Sequence, residues 1–221
     1  MRQAFADLLG QHHKTQTQDN PITRLSLPPR LRISLAEYDG QQAVPLVRPG
    51  NAVTAYQSIA QPGGRFGVYR HTPCHAIVES VDNAAIELRP TAWGDQAVSG
   101  SPPSTLSALC ERLRQRGVCG LGGSRFPTHM KLARGAYTLI INAVECEPYL
   151  NCDHRQMLEA SDKIRDGLQL LLVLLQPERC ILAGHQPYDE LELPAGVEFL
   201  TIRGGYPSGS ERQLEIGRAH V

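Results

Sequence analysis

Aromatic residues are scarce: they make up 5% of the 221 residues, with a single Trp and four Phe. The core must therefore lean on Leu, Ile, Val and Ala. An excess of either charge is missing too, since 22 Lys and Arg stand against 22 Asp and Glu. That balance excludes the basic footprint expected of a nucleic-acid-binding chain, so no nucleic-acid partner is expected. It also offers no polybasic patch for anionic lipid. No apolar leader opens the sequence. Residues 1–20 are polar, with Gln11, His12, His13 and Lys14 in succession, and secretion is not expected. The longest apolar run, Leu170 to Leu175, has six residues, far short of the roughly 20 that span a bilayer. The chain reads as cytosolic, with docking on a membrane partner left open. CxxC is absent, although six cysteines occur. A reducing compartment disfavours disulfides, and no cysteine cluster here holds zinc or an iron–sulfur centre by itself. Cys74, Cys110, Cys119 and Cys180 stand alone and are expected as small buried or half-buried residues.

What is present is a globular mixture, 41% hydrophobic and 20% charged. Disorder and coiled coil are excluded, and the length fits one or two domains with their own cores. From Ile22 to about residue 98 there is no helical period. Short apolar pieces such as Ala43–Val47, His75–Val81 and Ala84–Leu88 alternate with turn signals at Pro49-Gly50, Pro62-Gly63-Gly64 and Asp82-Asn83. That spacing predicts a small all-β module. Its order of motifs resembles a biotinyl/lipoyl-type barrel sandwich. Carrier domains of that class hold a lysine at a hairpin tip. The corresponding region, His71 to Val81, has none, so docking or scaffolding is the better reading than prosthetic-group attachment.

Residues 99–104, Ser-Gly-Ser-Pro-Pro-Ser, form a linker. After it the period changes. Leu106, Leu109, Leu113 and Val118 predict a helix capped by Ser104 or Thr105. Tyr137–Ile141 is a buried-type strand. Met157, Leu158, Ile164, Leu168, Leu171, Leu172 and Leu175 predict one long helix over residues 154–176. Cys180–Ala183 and Val197–Ile202 are again strands. This order gives an α/β architecture with a partly parallel sheet, and ligands are expected at the carboxyl ends of its strands.

Two stretches carry chemistry. In the first, Gly117, Gly120, Gly122 and Gly123 crowd into seven positions, followed by Phe126-Pro127-Thr128 and Lys131. Glycines at this density let backbone N–H groups approach a phosphate or a flat ring. Lys131 adds a point charge. The spacing is not G-x-G-x-x-G, and a mobile surface loop explains the glycines equally well. In the second, Asn142, Glu145, Cys146, Glu147, Pro148, Tyr149, Cys152 and Asp153 directly follow a strand. Asp153 reads as the cap of the next helix. Capping does not explain Glu145-Cys-Glu-Pro148.

These motifs, with a third at Tyr206-Pro-Ser-Gly209-Ser-Glu211-Arg-Gln-Leu214, resemble the RnfC family, the C component of the Rnf electron-transport complex. That family shares a flavin and nicotinamide domain with the flavin-carrying subunit of respiratory complex I. The resemblance runs from about Pro21 to Leu214. It implies a barrel-sandwich module over residues 22–98, after an N-terminal tail at 1–21. A Rossmann-like α/β domain for FMN and NADH follows over 105–214. It further implies that Gly120, Gly122 and Lys131 hold FMN, and that Asn142 faces the flavin with help from Tyr206 and Gly209. Gly123 and Phe126 would line the nicotinamide side, Glu147 would lie between flavin and NADH, and Glu211 would bind NADH. No acid–base residue is required, because the flavin accepts the hydride. The implied role is an NADH-oxidising entry module, peripheral on the cytoplasmic face of the inner membrane. Its partners would be the membrane and iron–sulfur subunits of an ion-translocating complex. The 4Fe–4S clusters of the family have no ligands in this sequence.

Three positions depart from the complex I pattern. Arg125 stands where that pattern has a glycine beside the ring, Val144 where it has an acid, and Ser210 where glycine is common. Arg125 supports the alternative of a docking subunit that keeps the fold without flavin. Cys146 and Cys152 belong to the family pattern and are expected to be structural. Residues 215–221 leave that pattern and match the translation of a sequencing-adapter oligonucleotide. They are read as a non-native tail on a truncated family member.

Overall fold

The computed structural model describes residues 14–95, 100–120, 125–188, 191–203, 208–210 and 214. The tail at 215–221, the first thirteen residues and the opening Ser99 of the linker lie outside them. The chain divides into two compact units, one of residues 25–135 and one of residues 1–24 with 136–221.

The first unit is built from seven short strands: β1 (Leu31–Ser34), β2 (Val44–Pro45), β3 (Ala52–Val53), β4 (Ser58–Gln61), β5 (Arg70–His71), β6 (Cys74–Val81) and β7 (Ala85–Trp93). They form two antiparallel sheets, β1-β7-β6-β3 and β2-β4-β5. Leu35, Ile59, Val78, Ile86 and Leu88 fill the space between, all but fully buried. Aliphatic side chains do the packing here, as the shortage of aromatics requires. Asp82 turns the β6–β7 hairpin, its carboxylate accepting from the N–H groups of Ala84 and Ala85 at 2.7 Å. Pro90 lies inside β7 beside a register shift opposite His75 and Ala76, a position where a strand tolerates a missing N–H.

Two helices belong to the same unit, α1 (Leu106–Gln115) and α2 (Thr128–Leu132). Of the two expected caps for α1, Thr105 serves, its hydroxyl accepting from Ala108 N–H at 3.1 Å. Thr105→Ala should cost about 1 kcal/mol, read as a lower denaturant midpoint with an unchanged m-value. The C-terminal end of α1 is tied to the β module. Tyr69 N–H donates to Arg114 O at 3.2 Å, and Arg114 Nε donates to Gly67 O at 3.3 Å. Gly117, at φ +73°, has no room for a Cβ, which would lie 2.5 Å from Tyr69 O. Compactness therefore divides the chain at residue 135, whereas composition places a boundary at 99–104.

The second unit is an α/β layer: β8 (Thr138–Ala143), α3 (Cys152–Glu159), α4 (Ser161–Leu175), β9 (Arg179–Gly184) and β10 (Val197–Thr201). Its sheet, β10-β9-β8, is parallel throughout. Ala143, Met157, Leu182 and Leu191 pack on one face, and Val144, Ala183 and Leu214 on the other. The single long helix expected over 154–176 is two helices. Ala160, at φ −135°, breaks the run. Ser161 and Asp162 then supply the polar residues that favour a helix start. The apolar period continues across the break because both helices lie on the same sheet face, Met157 from α3 and Ile164 from α4. Among the described residues no helix is long and apolar enough to cross a membrane.

Candidate functional site

The glycine-rich loop is closed at its base like a hairpin. Cys119 and Pro127 form an isolated antiparallel bridge, and Gly120 N–H donates to Phe126 O at 2.9 Å. Gly122 and Gly123 lie outside the described residues. Gly120 has ordinary packing on its side-chain side. A Cβ there would meet nothing closer than Phe126 O at 3.6 Å, with Lys131 Nζ at 4.0 Å. The fold thus brings Gly120 and Lys131 together, as a phosphate cradle needs. Arg125 takes φ +54°, so the backbone here keeps the left-handed turn that a glycine would adopt with less strain. Phe126 packs edge-on to Tyr38, with centroids 4.9 Å apart at 80°, and lies 6.2 Å from Phe66. Its ring belongs to an aromatic cluster formed with the β module.

In the other unit, the carboxyl end of β8 presents Asn142 to solvent. Its amide donates to Gly209 O at 2.9 Å and accepts from Val144 N–H at 3.0 Å. Gly209 lies so close that a Cβ would be 2.3 Å from Val144 O. The fold therefore holds Asn142 and Gly209 as one pair. Tyr206 and Glu211 are outside the described residues. Glu147 is exposed.

Asp153 is not the cap of α3. The residue before the helix, Asn151, makes no side-chain cap bond. The cap is Glu145, buried to 7% exposure, which accepts from Asp153 N–H at 2.9 Å and His154 N–H at 3.0 Å. Its Oε1 also accepts from the Cys152 thiol at 3.1 Å. A carboxylate at the first turn satisfies orphan donors and meets the positive end of the helix dipole. Burial pushes the Glu145 carboxyl up, but those three hydrogen bonds and the Lys14 charge bring it below its ordinary value. Burial also raises Asp153, helped by the charges of Glu145 and Glu147.

Cys152 is exposed, but its surroundings disfavour the thiolate. Burial of the sulfur, the bond to Glu145 and the nearby carboxylates push its thiol up to about 11 from 9.0. At pH 8 its thiolate fraction, and so its alkylation rate by iodoacetamide, should be roughly one-hundredth that of an ordinary cysteine. Peptide mapping by mass spectrometry over a time course checks this.

Two further features have little signal in the sequence. His185, directly after β9, places its ring nitrogens 3.1 Å from Ile202 O and 3.1 Å from Glu145 O, joining the carboxyl ends of all three parallel strands. The segment after residue 13 straps the motif loop from outside. Lys14 Nζ donates to Leu150 O, Thr17 Oγ1 donates to Tyr149 O at 2.8 Å, and Ile22 N–H donates to the Glu159 carboxylate at 3.1 Å. A cavity of about 490 Å³ opens beside them, lined by Lys14, Glu145, His154, His185 and Tyr188. Burial, with the charges of Glu145 and Asp153, pushes Tyr188 up to about 12. The motif loop is therefore held by Glu145 from within and by the N-terminal segment from outside.

Similarity to known proteins follows the same division of motifs. Residues 8–94 match the family model of the RnfC barrel sandwich hybrid domain. Residues 113–215 match that of the Nuo51 FMN-binding domain. The C subunit of the ion-translocating oxidoreductase complex of Klebsiella pneumoniae (strain 342) is 32% identical, over 91% of this chain and 30% of its own length. The protein of the same name from Pectobacterium carotovorum is also 32% identical, over 91% of this chain and 30% of its own. That from Pectobacterium atrosepticum is 31% identical, over 91% and 33%. The chain thus spans about a third of the length of the curated relatives it matches. With a barrel-sandwich domain followed by an FMN-binding-type α/β domain, the chain belongs to the RnfC family, the C subunits of ion-translocating oxidoreductase complexes.

Proposed function

We propose that the chain is the flavin-bearing entry module of an Rnf-type electron-transport complex, oxidising NADH through FMN and passing electrons on to iron–sulfur centres. The functional domain in this reading runs from 105 to 214. The observation that carries it is the match of residues 113–215 to an FMN-binding domain. The residues present fit the group. In one unit Gly120 lies near the Lys131 ammonium, a cation that suits a phosphate; in the other the Asn142–Gly209 pair offers amide and carbonyl groups at a strand end.

FMN, when bound, supplies the hydride acceptor. The protein's part is to bind, orient and exclude water. Lys131 would hold the flavin phosphate with the backbone at Gly120 and Gly122, and Gly123 would line the nicotinamide side. Asn142, fixed by Val144 N–H and Gly209 O, presents its remaining amide capacity to the ring system, with Tyr206 alongside. Glu147 and Glu211 orient NADH, and Phe126 bounds the nicotinamide side. Glu145 keeps Glu147 in place by capping α3. In the cell the module lies on the cytoplasmic face of the inner membrane against the membrane and iron–sulfur subunits, with the coupled ion moved by those partners.

The test is spectroscopic. The purified chain, incubated with FMN and desalted, should stay yellow and bleach anaerobically when NADH is added. A colourless chain would establish the alternative, a docking subunit without flavin. A yellow chain that NADH does not bleach would remove NADH as the donor and leave flavin binding intact.

A further inference from the structure

The β module and the base of the glycine-rich loop share one compact unit, residues 25–135. One turn of the module, residues 62–69 between β4 and β5, reaches the loop. Glu37 holds that turn. It is 6% exposed, and its carboxylate accepts from Gly63 N–H and Gly64 N–H at 3.1 Å each. A Cβ at Gly67 would lie 2.1 Å from Glu37 Oε1, so the turn wraps the carboxylate closely. A buried carboxylate on backbone donors makes a turn stiff. The turn then meets its neighbours at three places. Arg114 Nε of α1 donates to Gly67 O at 3.3 Å. Phe66 lies 6.2 Å from Phe126, centroid to centroid. The third contact is His129 of α2, whose ring donates a hydrogen bond to the Arg65 carbonyl.

The flavin reading gives His129 no role, yet the residue is 7% exposed. Its Nδ1 is buried and, among the described residues, has no hydrogen-bond partner. The bond to Arg65 therefore belongs to Nε2. Such a ring is neutral, because a proton on Nδ1 would be a buried donor with nothing to accept it. The groups that face it are Arg114 and Glu111 from α1 and the Arg65 carbonyl from the turn. Burial holds the imidazole below its ordinary 6.5 and the Arg114 charge adds to this, while the Arg65 carbonyl and Glu111 oppose it. One oxygen of Glu111 already accepts from Gln115 Nε2 at 2.9 Å.

The place of His129 on its helix gives this bond its reach. With five residues, α2 is too short to hold an orientation alone. It takes its orientation from what it packs on. Two residues along a helix are about 200° apart, so Lys131 leaves α2 on the side opposite His129. There its Nζ comes within 4.0 Å of where a Gly120 Cβ would stand. The loop base is tied to the same helix, since Thr128 N–H donates to Val118 O at 3.3 Å. We infer that His129 is a positioning residue: its neutral ring fixes α2 to the 62–69 turn, and the β module thereby sets Lys131 and the loop base for a phosphate. The phosphate end of this inference rests on the flavin reading. The joint itself does not.

Amide hydrogen exchange of the 221-residue chain, read residue by residue by NMR, tests the joint with no ligand present. His129→Leu should speed exchange of the Gly120 and Thr128 amides about tenfold, near the worth of one hydrogen bond. His129→Gln keeps an N–H for the Arg65 carbonyl and should restore protection. With intrinsic rates corrected, the wild type should lose protection at both amides as pH falls below about 6.5. The stabilisation from a ring held neutral is complete above its ordinary value and is lost as the native ring takes up a proton. His129→Gln has no proton to take up there and should stay level down to about pH 5.5. Amides of β6 and β7 should keep their protection throughout, which reports a folded module. FMN affinity should follow the exchange, about tenfold weaker in His129→Leu and near wild type in His129→Gln. Wild-type protection in a folded His129→Leu, or equal pH slopes in wild type and His129→Gln, overturns the joint; FMN still bound then spares the proposed function. If His129→Leu unfolds the module, those two pH slopes decide. Unchanged FMN affinity in a His129→Leu chain whose loop base has opened overturns the positioning role. If the wild type binds no FMN while the exchange effects appear, the proposed function falls and the joint stands.

Discussion

Glu145→Ala should lower the melting temperature by roughly 5–15 °C and abolish bleaching by NADH, although Glu145 need touch no ligand. The carboxylate serves three donors at once: Asp153 N–H, His154 N–H and the Cys152 thiol. Alanine leaves the two N–H groups without their partner at a half-buried helix start. The expected cost is about 2–4 kcal/mol, and each kcal/mol moves the midpoint of a domain this size by about 2–4 °C. The functional loss follows from position. Glu147 lies two residues on, in the stretch between Glu145 and the helix that Glu145 caps. Glu145→Gln separates charge from shape. Its amide keeps one acceptor but turns an N–H toward a donor, so stability should fall by nearly as much. The pH dependence gives a further readout. The native Glu145 carboxyl lies below its ordinary value of 4.5. Its stabilisation is therefore complete above the unfolded value and is lost as pH falls through the native one. Between about pH 5 and pH 3 the wild type should lose stability more steeply than Glu145→Gln, which has no proton to take up there. Parallel slopes in urea melts across that window would show that the carboxylate is not the group holding the loop.

The strands that bracket this loop are legible because periodicity and turn chemistry are local. The run Tyr137–Ile141 falls within or beside β8, Cys180–Ala183 within β9, and Val197–Ile202 covers β10. The α1 cap is legible to within one residue for the same reason. The break at Ala160 is not, because two helices on one sheet face share a continuous apolar period. Its local sign, Ser161-Asp162, is weak beside seven apolar positions in step. The capping role falls to Asp153 when capping is read from the residue at the helix start. The actual cap comes from seven residues before Cys152, a distance that only the path of the loop defines. His185 is illegible for a like reason, since its partners, Ile202 and Glu145, are each set by a different strand end. The site motifs themselves are legible through family resemblance and not through spacing. Glycine density alone does not distinguish a cradle from a surface loop; the structure adds the closed base, Gly120 N–H on Phe126 O, and the nearness of Lys131.

Gly209→Ala should reduce FMN affinity by more than about a hundredfold while leaving the β module intact. The added Cβ would lie 2.3 Å from Val144 O and 3.2 Å from Val144 Cγ1. The first of these is backbone in a buried residue, so it cannot rotate away, and the turn at 208–210 must move instead. That movement breaks the bond from Asn142 to Gly209 O at 2.9 Å. Asn142 then keeps only its bond from Val144 N–H, and its amide is free to turn away from the ring system. Asn142→Ala tests the other end of the pair. It removes one side chain without displacing the turn, so its loss should be smaller, about tenfold, near the worth of one or two hydrogen bonds. The double variant should be no weaker than Gly209→Ala alone, because both changes disable the same contact. Quenching of FMN fluorescence on titration reads all three affinities. The thermal transition of the β module supplies the control, since Gly209 and its partners lie in the other compact unit. Additive losses would mean that Asn142 and Gly209 act on the flavin separately, and wild-type affinity in Gly209→Ala would put the flavin away from this strand end altogether.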